Sequence, residues 1–62
     1  MNKQEAKIIL EIMTTTDGDC PSCAFDLMEK FYINFPRFTK LAKRVFENHF
    51  EKKWDDFRKE IQ

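Results

Sequence analysis

A chain of 62 residues has room for one domain, near the lower size limit for folding unaided, where a metal, a disulfide or a partner often supplements a thin core. Hydrophobic residues make up 42% of it, and the seven Phe exclude a disordered tail. Eleven Lys and Arg balance eleven Asp and Glu, so the whole chain has no electrostatic bias toward nucleic acid or anionic lipid.

The bias is local: residues 1–19 carry two Lys against four acids, and residues 37–62 carry eight Lys and Arg against five. The opening residues lack the apolar centre of a signal peptide, and the apolar runs are too short for a membrane span. The expected location is cytoplasmic, with no membrane partner and with both cysteines reduced.

Asp17-Gly18-Asp19 with Pro21 makes one break and Pro36 another, leaving three segments. The first opens with Asn2 and Glu5, a capping-box pattern. Ala6, Ile9, Leu10 and Met13 follow at helical spacing, with Ile8 and Ile12 widening the apolar face. Ile8, Leu10 and Ile12 also alternate, so residues 7–16 admit a strand, but the strong helix formers at 3–7 favour a helix over roughly 3–15.

The second segment starts at Cys20-Pro21-Ser22-Cys23. Asp19 or Cys20 suits the cap and Pro21 the first turn, which predicts a helix over roughly 21–35. Ala24, Leu27, Met28, Phe31 and Phe35 form its stripe, with Phe25 and Tyr32 toward the flank and partly exposed. Pro36 ends it.

The third segment has neither Gly nor Pro after Pro36, and Phe38, Leu41, Ala42, Val45, Phe46, His49, Phe50, Trp54, Phe57 and Ile61 hold one face. Lys43–Glu47, Lys52–Asp56 and Asp55–Lys59 are opposite charges at i,i+4. One long amphipathic helix over roughly 37–60 is expected. The fold class is then all-α: a small antiparallel three-helix domain with a long C-terminal helix.

In that register His49 lies level with Cys23, and zinc favours thiolate and imidazole ligands. Cys20, Cys23 and His49 are therefore the candidate metal ligands, zinc is the possible cofactor, and Asp17, Asp19, Asp26 or a second subunit is the source of a fourth ligand. Alternatively the pair is a redox dithiol, with Cys20 activated at a helix start and Cys23 resolving a mixed disulfide. Simple packing of two small side chains at a helix start explains the same residues without chemistry.

Residues Ile8–Phe31, with Ile-Ile-Leu-Glu-Ile-Met-Thr-Thr-Thr leading into Cys-Pro-Ser-Cys, resemble the active-site segment of glutaredoxins and thioredoxin-like proteins. The resemblance covers a little over a third of the chain. It implies a strand entering the dithiol, further strands and a proline-bearing loop beside it, and no such parts follow Pro36. The same cysteines are similar to the Pro-Cys-x-x-Cys ligand pair of zinc-dependent nucleobase deaminases. Pro21 here follows the first cysteine, and no His-x-Glu supplies the third ligand and proton shuttle, which excludes that activity.

Arg37, Lys40, Lys43 and Arg44 form a basic patch that suits phosphate contacts, and a nucleic-acid-binding regulator is one alternative reading. Trp54, Phe57 and Ile61 prolong the apolar stripe past the reach of two shorter helices, which marks them as an interaction surface. The expected function is accordingly non-enzymatic: a binding or assembly module acting by protein–protein interaction, most simply as a homodimer. Thiol–disulfide redox chemistry and nucleic-acid binding are the rival readings.

Overall fold

The structure is a computed structural model describing residues 1–15, 18 and 20–61. It is all-α. Among the described residues, four helices, α1 Lys3–Thr15, α2 Pro21–Asn34, α3 Thr39–Phe50 and α4 Trp54–Ile61, surround one core, and a 3-10 turn at Pro36–Phe38 joins α2 to α3. The expected turn residues Thr16, Asp17 and Asp19 lie outside the described residues.

The capping pattern forms α1 as the sequence suggests. The Glu5 amide donates to Asn2 Oδ1 at 2.8 Å and the Asn2 amide to Glu5 Oε1 at 2.9 Å, which supplies acceptors for two N–H groups at the helix start. The helix persists through Thr15, so the strand alternative for this segment is not adopted. Ala6, Leu10 and Thr14 face inward, and the buried Thr14 hydroxyl donates to the Glu11 carbonyl at 2.6 Å. Ile8 and Ile12 point outward, 52% and 62% exposed, because the buried stripe runs along the opposite side of the helix.

Pro21 opens α2, where a missing N–H costs nothing, and Ala24, Phe25, Met28 and Phe31 enter the core. Phe25 is buried, against the expectation of a flanking position, while Leu27 and Phe35 stay exposed. The cause lies at the other end of the chain.

The long third helix does not form. Glu51 turns into the left-handed region at φ 56° and ψ 38°, its amide donating to the Glu47 carbonyl at 2.9 Å. One Glu47 carboxylate oxygen then accepts the Trp54 amide at 2.9 Å and so satisfies the start of α4. The greatest extent of the molecule is 31 Å, shorter than the ~36 Å a single helix over 38–61 would need. By folding back, α4 buries Trp54 and Phe57 against the flank of α2 that carries Phe25. Phe25 stacks on Trp54 at 4.0 Å between centroids, and Phe46 meets Trp54 at 5.0 Å and Phe57 at 5.4 Å. The Arg58 guanidinium donates to the Glu29 carboxylate and to the Tyr32 hydroxyl, closing the seam between α4 and α2.

Three charges from two of the expected i,i+4 pairs are used otherwise. The Lys43 ammonium lies 5.9 Å from the Tyr32 ring centre and Lys52 lies 5.7 Å from that of Phe57, while Glu47 holds α4. No helix of the described residues is long and apolar enough to cross a membrane.

Candidate functional site: the cysteine pair at the start of α2

Cys20 is the N-cap of α2, in extended backbone conformation at φ −74° and ψ 114°. Its side chain takes the place usually filled by a Ser or Asp oxygen, and Sγ accepts the Cys23 amide at 3.4 Å. Cys23 is the third helical residue, one of the two positions whose N–H a capping side chain reaches. The Ser22 hydroxyl lies 3.3 Å from the same sulfur. Both cysteines are half-buried.

These donors all favour charge on the Cys20 sulfur. The Cys23 thiol first, then the Ser22 hydroxyl and the Cys23 amide, hold the Cys20 thiol down at about 7, against a weaker upward push from burial. The positive end of α2 acts in the same direction. At neutral pH a large share of Cys20 is thiolate, one helical turn from a second thiol. That arrangement suits nucleophilic attack on sulfur followed by internal closure. Ser22 is the site residue the sequence reading passes over. Its place inside the motif, two residues after the cap, was the available signal.

His49 does not complete a metal site with the pair. Among the described residues, no three His, Cys, Asp or Glu side chains form a group that could hold a metal ion. His49 instead borders a groove between α1 and α3 with Lys7, Glu11, Thr14, Thr15 and Asn48, and its ring meets Phe50 edge-on at 4.6 Å. That groove is lined by α1 and α3, whereas the cysteine pair opens α2. Asp17 and Asp19 lie outside the described residues.

The other candidate groups are also redistributed. Trp54 and Phe57, expected as an interaction surface, are 1% and 7% exposed core residues, and Ile61 alone of the three remains at the surface, at 44%. The homodimer expected through them loses that surface. The basic patch divides: Lys43 turns to Tyr32, while Arg37, Lys40 and Arg44 join Lys3 of α1 around a separate cleft. No pattern within one segment signals Lys3, which arrives from the far end of the chain.

No family model, curated protein or solved structure matches the chain, so the functional reading rests on this geometry.

Proposed function

We propose that the chain is a thiol–disulfide redox protein in which Cys20 attacks and Cys23 resolves. The observation carrying this reading is the Cys20 sulfur at the cap of α2, accepting the Cys23 amide hydrogen bond with the Ser22 hydroxyl within hydrogen-bond distance. The Cys20 thiolate attacks one sulfur of a partner disulfide; a Cys20–partner S–S bond forms and the partner's other sulfur leaves as thiolate. Cys23 then gives up its proton and attacks the Cys20 sulfur. The Cys20–Cys23 disulfide closes, and the partner's second sulfur departs as thiolate and takes a proton. The chain is oxidised by two electrons and the partner reduced by two; the reverse sequence delivers a disulfide.

A zinc ion held by the same thiolates is the competing reading. Zinc commonly takes four ligands, and the described residues bring only Cys20 and Cys23 to this corner, so the rest would come from a second subunit or from Asp17 and Asp19. Incubation with glutathione disulfide separates the two. The redox reading expects wild-type chain to close its internal disulfide and Cys23→Ser to accumulate one glutathione on Cys20. Unmodified thiols in both, with zinc retained in native mass spectra, would replace redox chemistry by a metal corner.

A further inference from the structure

A cleft with neither cysteine in its lining lies between the start of α1 and the start of α3. It measures about 740 Å³, within the size range of small-molecule sites. Its charged lining residues are Lys3, Arg37, Lys40 and Arg44, all basic, in a chain whose charges balance overall. Phe38 and Leu41, both mostly buried, provide an apolar floor.

Three features make this more than a scatter of surface cations. Residues 37, 40 and 44 are spaced three and four apart, so the turn before α3 and its first helical turns present them on one side. Arg37 is held in place, its guanidinium donating to the Met1 carbonyl and lying 4.6 Å from the Phe38 ring centre. Lys3 approaches from α1, so two elements converge on the same space. Among the described residues no carboxylate forms an ion pair with any of the four. Lys7 continues the basic edge along α1 beside Asn2 and Lys3.

We infer that this cleft binds a small phosphorylated molecule: the basic rim takes the phosphate oxygens and the Phe38–Leu41 floor takes an apolar or planar body. Arg suits such a group because its planar fork offers paired donors to phosphate, and Lys adds point charge. The concave shape favours a compact ligand over an extended strand. The same phosphate chemistry occurs along a nucleic-acid backbone, and the two sources differ in salt dependence and in the need for the cleft floor.

The test is calorimetric titration of the full chain with ATP, with inorganic pyrophosphate and with a short single-stranded oligonucleotide, at two salt concentrations. The inference expects saturable binding of ATP, weaker binding of pyrophosphate, and amide shifts in NMR spectra confined to residues around Lys3, Phe38, Lys40 and Arg44. Lys40→Ala with Arg44→Ala should weaken ATP roughly tenfold or more while leaving the circular dichroism spectrum unchanged, since both side chains are exposed. Binding of the oligonucleotide alone, with a steep salt slope, would overturn the inference in favour of a nucleic-acid surface. So would no binding of any of the three, or ATP binding indifferent to the double substitution. Neither result bears on the cysteines, so this site and the dithiol stand or fall separately.

Discussion

The carboxylate of Glu47, near the end of α3, accepts the backbone N–H of Trp54, the first residue of α4, at 2.9 Å. This one bond spans the three-residue connection and fixes the direction in which α4 leaves, so the indole drops onto Phe25 and Phe46. Glu47→Ala should therefore lower stability by about 1 kcal/mol, the usual worth of a helix cap. The melting temperature would fall by about 4–8 °C in a domain this small. Fluorescence of Trp54, the only tryptophan, is the probe, and an unchanged melt would show that α4 is held without this bond.

Glu51 occupies the left-handed region that glycine adopts freely. Its side chain is exposed and its amide bond to Glu47 does not depend on residue type. Glu51→Gly should raise stability by about 1 kcal/mol in urea unfolding, since the substitution relieves Cβ crowding at the helix end. A loss of stability would argue for a continuous helix through this position.

Trp54 and Phe57 serve the core, not an outer surface. Trp54→Ala should cost about 3–5 kcal/mol, a large part of the stability of so short a chain. The pair Trp54→Glu, Phe57→Glu should not fold, whereas Ile12→Glu, on the exposed side of α1, should change stability by about 0.5 kcal/mol or less. Circular dichroism and sedimentation report both outcomes. A folded double variant would return these residues to a surface role.

The capping role of Cys20 separates structure from chemistry. Serine is a preferred N-cap, so Cys20→Ser should melt within a few degrees of wild type, while Cys20→Ala should lose about 1 kcal/mol. Cys20→Ser removes thiol chemistry without removing the cap. The lowered thiol pKa also gives stability a direction with pH. Below about 7 both folded and unfolded chains hold the Cys20 proton. Between about 7 and the ordinary thiol range only the folded chain has released it, so this group's contribution grows as pH rises through that window and is lost as pH falls through it. Thermal melts of wild type against Cys20→Ser across this window measure the difference.

Local signals in the sequence carried much of this architecture. Asn2 and Glu5 announced α1, Pro21 and the cysteine cap announced α2, and Pro36 ended it. The break before α4 left no such mark. Phe50 and Trp54 keep helical spacing across it, and the residue that bends is a glutamate. Burial of two large aromatic side chains outweighs the cost of a left-handed Glu51, and that is a tertiary effect no local pattern records. The site divided in the same way. The Cys20–Cys23 arrangement is local and legible in the motif, whereas the position of His49 and the convergence of Lys3 on Arg37, Lys40 and Arg44 depend on how the helices pack.

The central claim is that the fold sets up Cys20 as a thiolate nucleophile. The most direct measurement is the rate of iodoacetamide alkylation of Cys20 in the wild-type chain from acid to alkaline pH, resolved from Cys23 by peptide mass spectrometry. The account predicts a rate profile with its midpoint at about 7, shifted upward in Ser22→Ala as one hydrogen bond to the sulfur is lost. A midpoint near the ordinary thiol value of about 8.5, or a Cys20 that alkylates only after unfolding, would contradict it.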